Sequence, residues 1–144
     1  MAIKRYPDWP ARLQTEIERA ARAPFRWGID DCCLFPADCV RAMTGVDVGA
    51  EFRGKYDDLA GAAALIRLDG GVLEMIDRLA REFGAERIEG AFATRGDVVL
   101  ADPKARACLG VVGLEGRHVW LKAESGLLPG IIPKAAAAWR FAGL

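Results

Sequence analysis

The apolar pattern of this chain changes period once, near residue 85, and that switch limits the fold more than any other feature. Up to Gly84, apolar residues recur at helical spacing; from Asp97 onward they come in short runs separated by turn residues. Helices first and strands second predict an α+β domain, with N-terminal helices packed on a C-terminal antiparallel β-sheet. The 144 residues fit one domain, 1–144, with no repeat, linker or low-complexity stretch.

Four helices are expected. The first runs from Asp8 to Ala23, with Asp8 as a possible cap, Pro10 in the first turn and Pro24 as the stop. Leu13, Ile17 and Ala20 or Ala21 give it one apolar face. The second runs from about Cys32 or Cys33 to Met43, and Gly45 ends it. Its start depends on Pro36. If Asp31 caps, Pro36 is the fifth helical residue and a backbone bond is lost; if the cap lies later, Pro36 falls in the first turn. Tyr56 or Asp57 to Leu68 and Val72 to Phe83 complete the set.

Short strands are expected over Asp97–Ala101, Ala107–Leu114, His118–Lys122 and Leu127–Ile132, with a last one over Trp139–Phe141 closing the sheet. Pro129 weakens the fourth or places it at an edge. Arg95-Gly96-Asp97 reads as a turn leading into a strand.

Charge excludes several function classes. Twenty basic and twenty acidic residues leave a formal net charge of +0, unsegregated along the chain, which argues against nucleic-acid binding. No run of about 18 apolar residues exists, so no membrane insertion is expected. Met1 to Tyr6 lacks the apolar stretch of a secretory signal, so synthesis in the cytoplasm without a signal peptide is expected. The four cysteines, at 32, 33, 39 and 108, do not follow zinc-ligand spacing, and neither a metal nor a cofactor is predicted.

The chemistry, if any, centres on Cys32. A helix N-terminus favours a thiolate through its unpaired N–H groups and dipole. Asp30 and Asp31 oppose that charge unless they are occupied in capping. A cysteine hydrolase also needs a base, and the only histidine is His118.

The segment Trp27-Gly28-Ile29-Asp30-Asp31-Cys32-Cys33-Leu34-Phe35 resembles the nucleophile motif of the NlpC-type, papain-like cysteine peptidases of bacterial cell walls and phages. Arg95-Gly96-Asp97-Val98-Val99-Leu100 resembles that family's Gly-Asp strand. Cys108-Leu109-Gly110-Val111-Val112-Gly113 resembles its His-Val-Gly-Ile strand, and Gly116-Arg117-His118-Val119-Trp120 the strand after it. The likeness spans roughly residues 25 to 123, and is strongest to small phage and prophage proteins encoded among tail genes.

The resemblance implies a papain-like fold with Cys32 at the nucleophile position. It puts Cys108 where the family has its catalytic histidine, and Trp120 near the residue that orients it. A neutral thiol is no base near pH 7. His118 shares a strand face with Trp120 and is a candidate displaced base, about 7 Å along the strand. Trp27, Asp31 and Trp120 are candidate binding residues around the groove. The implied function is a catalytically degenerate structural or binding protein of a phage tail or similar particle, hence virion-associated, with tail proteins as partners. The alternative is an active cysteine peptidase or amidase cleaving peptidoglycan peptides. A third reading is a thiol redox or metal-binding protein using Cys32, Cys33 and Cys108.

Overall fold

The computed structural model describes residues 3–100, 109–132 and 137–142. Its helices are α1 (Trp9–Arg22), α2 (Leu34–Thr44), α3 (Leu59–Leu68) and α4 (Val72–Phe83). Six strands follow: β1 (Glu86–Glu89), β2 (Val98–Leu100), β3 (Leu109–Val112), β4 (His118–Ala123), β5 (Gly126–Ile131) and β6 (Ala137–Arg140). A 3-10 turn, Gly90–Phe92, separates β1 from β2. The order is α+β, with the helices first, as the change of period requires.

Local chemistry sets the helix ends. In α1, Leu13, Ile17 and Ala20 are buried at helical spacing, and Pro10 sits in the first turn. Burying Leu13 and Ile17 contributes about 2 kcal/mol each. Asp8 stands at the N-cap position, but its carboxylate takes Arg12 Nε at 2.8 Å instead of a backbone N–H. α3 begins later than its apolar pattern suggests, because Asp58 is the cap and accepts from Gly61 N–H at 2.7 Å. Gly45 and Gly84 end α2 and α4 in the left-handed conformation, with φ of 80° and 70°.

The sheet is antiparallel throughout, in the order β1-β6-β2-β3-β4-β5. Both faces of its central strands are buried. Val98, Leu100, Leu109, Val111 and Trp139 pack on the helices. Val99, Val112, Val119 and Ala138 form a second cluster on the other face. β5, which carries Pro129, is an edge strand as expected. The expected last strand does not close the sheet at an edge; β6 lies inside it, between β1 and β2. Trp139, fully buried, donates its indole N–H to Asp77 on α4 at 2.9 Å and so fixes β6 against the helices.

Candidate functional site

Cys32 lies in the turn that leads into α2. Upstream, Arg26 and Asp30 exchange backbone hydrogen bonds of 3.0 and 2.8 Å and close a small loop with Trp27, Gly28 and Ile29 at its tip. Gly28 has φ +80°, and a Cβ there would come within 2.0 Å of the Tyr56 carbonyl oxygen. Only glycine permits this approach. Gly54 N–H donates to the Gly28 carbonyl at 2.8 Å, which fastens the loop to the segment between α2 and α3. Trp27 is half-buried and packs edge-on against Phe25, with centroids 4.8 Å apart.

Asp31 organises this corner. Its side chain is fully buried. Oδ1 accepts from the N–H groups of Cys33 and Leu34 at 3.0 and 2.9 Å, and Oδ2 from Gly28 N–H at 2.8 Å and Tyr56 Oη at 2.6 Å. Its carbonyl accepts from Phe35 N–H at 2.9 Å. Asp31 therefore caps the turn that leads into α2, and Cys32 is the first residue inside that turn. The helix itself begins at Leu34 with Cys33 at its N-cap position, so Pro36 is its third residue and falls in the first turn, the second of the two arrangements its position allows.

Asp30 is engaged on the other side. Its carboxylate lies 3.1 Å from Arg19 Nη1 and 3.5 Å from Lys122 Nζ. Lys122 is almost wholly buried, and its ammonium donates to the carbonyls of Ala20 and Ala23 at 2.6 and 2.7 Å. A cation thus closes the C-terminal end of α1, where the helix dipole favours positive charge. Both carboxylates beside Cys32 are committed to capping or ion pairing.

Tyr56, like Lys122, is a participant that sequence reasoning missed. Burial, then the bond to Asp31 and the nearby Cys33 and Cys32 thiols, push its phenol pKa well above the usual value. It therefore stays protonated and serves as a donor. Tyr56 and Cys33 also line an otherwise apolar cavity of about 40 Å³ reaching to Met75, Leu79 and Phe141. Cys39, on α2, is fully buried, and desolvation raises its thiol pKa far above normal.

His118 opens β4 with its side chain 47% exposed and Nδ1 3.9 Å from Glu115. Its ring lies 6.4 Å, centroid to centroid, from half-buried Trp120. Trp120 covers Gly113, where a Cβ would sit 2.7 Å from the indole nitrogen. His118, Trp120 and Lys122 share the helix-facing side of β4. Cys108 lies outside the described residues; β3 begins at the next position, with Leu109 paired to Leu100. Among the described residues no group of three or more His, Cys, Asp or Glu side chains could hold a metal ion. No helix among them is long and apolar enough to cross a membrane.

A family model described as a domain of unknown function, DUF6950, matches residues 4–141. The chain belongs to the DUF6950 family. No curated protein and no solved structure matches it. Within this family member, the Asp31–Tyr56 corner holds the Trp27–Phe35 segment together.

Proposed function

We propose that this DUF6950 domain is an NlpC-like, papain-type domain of phage or prophage origin that has lost hydrolytic activity and serves as a structural or binding part of a phage tail or similar particle. The position of the only histidine carries this reading. Lys122 meets Asp30, two residues before Cys32. His118 stands four residues further along the same strand, about 13 Å at the rise of an extended chain. Its ring neighbours Trp120 and Glu115. A general base must lie within hydrogen-bond reach of the proton it takes, directly or through one water.

The decisive experiment is incubation of the purified chain with peptidoglycan sacculi and soluble muropeptides, followed by mass spectrometry of the products. The reading expects no new peptide ends, with the chain co-sedimenting with assembled tail particles. Cleavage abolished by both Cys32→Ala and His118→Ala would overturn it.

One observation favours the rival reading of an active cysteine peptidase or amidase. Asp30 and Asp31 are tied up by Arg19, Lys122 and the α2 cap, so their charges oppose a Cys32 thiolate less than their sequence positions suggest. In that reading Cys32 attacks a peptide carbonyl of the cell wall, and His118 reaches it as a displaced base.

A further inference from the structure

Two guanidinium groups meet around one carboxylate where the N-terminal segment, the turn before β2 and the end of β6 converge, and a third, that of Arg95, lies over the neighbouring Trp9 ring. Asp97, fully buried, is at the centre. Arg140 donates to it from Nε at 3.0 Å and from Nη2 at 2.8 Å. Arg5 Nη2 stands 3.6 Å away. Thr94 N–H also donates to Asp97, at 2.8 Å, and closes the turn that carries Arg95. Arg5 is held firmly: its Nε donates to the Phe141 carbonyl at 3.3 Å, and its guanidinium lies between Gly96 and the Trp9 ring, 4.5 Å from the ring centroid. Arg95 covers the same ring at 5.2 Å.

The charges do not balance. Two cations share one anion, and among the described residues no carboxylate pairs with the third, Arg95. The Arg5 side chain is only 12% exposed, and its Nη2 is buried without a hydrogen-bond partner. A buried cation short of acceptors is costly. Burial lowers the Arg5 pKa; Asp97 acts in the opposite sense, and the like charges of Arg140 and Arg95 lower it further. Outside this cluster the chain has no general excess of positive charge to explain it, since the formal net charge is +0.

We propose that Arg5, Arg95 and Arg140 form a binding site for an oxyanion, a phosphate or carboxylate group. Arg95, which is exposed, and Arg140, whose side chain is 34% exposed, supply the direct contacts. Asp97 and Thr94 take Nε and Nη2 of Arg140, which leaves Nη1 for the ligand among the described residues. The planar guanidinium fork matches both oxyanions, and Arg5 backs the site with buried charge. The Trp9 ring holds Arg5 and Arg95 in place before the ligand arrives.

The test is a titration of the isotopically labelled full chain with sodium phosphate and, separately, sodium acetate, at ionic strength held constant with sodium chloride. NMR follows the arginine Nε–H and Trp9 indole N–H signals. Saturable shifts of Arg95, Arg140 and Trp9 are expected with at least one of the two anions. Response to phosphate alone assigns the site to phosphate groups; response to both extends it to carboxylates. Arg95→Gln should raise the midpoint about tenfold, and Arg95→Lys, which keeps the charge but not the fork, by less. Shifts that follow ionic strength alone, or an unchanged midpoint in a folded Arg95→Gln chain, would overturn the proposal.

Discussion

Tyr56 donates its hydroxyl to the Asp31 carboxylate across 2.6 Å, joining the segment before α3 to the turn that leads into α2. Asp31 is buried, so its four side-chain hydrogen bonds replace water entirely. Asp31→Ala should lower stability by about 3 kcal/mol, combining a lost cap with stranded buried donors. Tyr56→Phe should cost about 1.5 kcal/mol, as a bond to a charged acceptor. Urea unfolding of both single variants and the double variant checks this; the double should lose less than the sum. Additive losses would mean that the two side chains act separately.

Lys122 invites a similar argument with the opposite charge. Lys122→Met fits the apolar stem but leaves Asp30 and two α1 carbonyls without the ammonium. Breaking one partner of a buried pair costs about 3 kcal/mol or more. Adding Asp30→Asn should recover part of that loss, measured by thermal or urea unfolding. No recovery would place the cost in the carbonyls of α1 rather than in the ion pair.

Asp38 makes stability depend on mildly acidic pH. Burial raises its pKa to about 6, against the pull of Arg53, with Glu16 raising it further. The folded chain therefore holds a proton between about pH 4 and 6 that the unfolded chain has released. Stability from this group is greatest at the acid end and falls as pH rises through 6. Relative to Asp38→Asn, the native chain should lose on the order of 2 kcal/mol between pH 4 and pH 7. Equal pH profiles for the two proteins would refute the assignment.

Thiol labelling separates the cysteines. Cys39 is fully buried with a raised pKa, while Cys32 and Cys33 are half-buried. At pH 7, iodoacetamide should modify Cys39 only on global unfolding, at least 100-fold more slowly than Cys32. If hydrolysis has been lost, His118→Ala should leave the Cys32 rate within about twofold, since a working base would change it far more. Peptide mapping over a time course gives both results.

The helices were legible because each of their signals is local. Leu13, Ile17 and Ala20 mark one face of α1, and Gly84 marks the end of α4. β1 was not legible: Glu-Arg-Ile-Glu has no alternating apolar pattern, and its pairing with β6 creates it. The place of β6 between β1 and β2 is a property of strand order, which periodicity does not encode. At the candidate site, the motif around Cys32 located the helix start to within two residues, and Pro36 sits in the first turn, as a cap later than Asp31 requires. Tyr56 and Lys122 left no such trace. Their partners lie far away in sequence, and a lysine as deeply buried as Lys122 runs against the usual preference of that residue.

The interior position of β6 also governs the order of assembly. β1 and β2 leave the ribosome well before Ala137–Arg140, yet neither touches the other in the finished sheet; each pairs with β6. Until that strand arrives, β1 has no neighbour and β2 has one open side. These late pairings between distant segments should delay closure of the sheet, so an interrupted or prematurely stopped chain would present two bare strand edges to other chains.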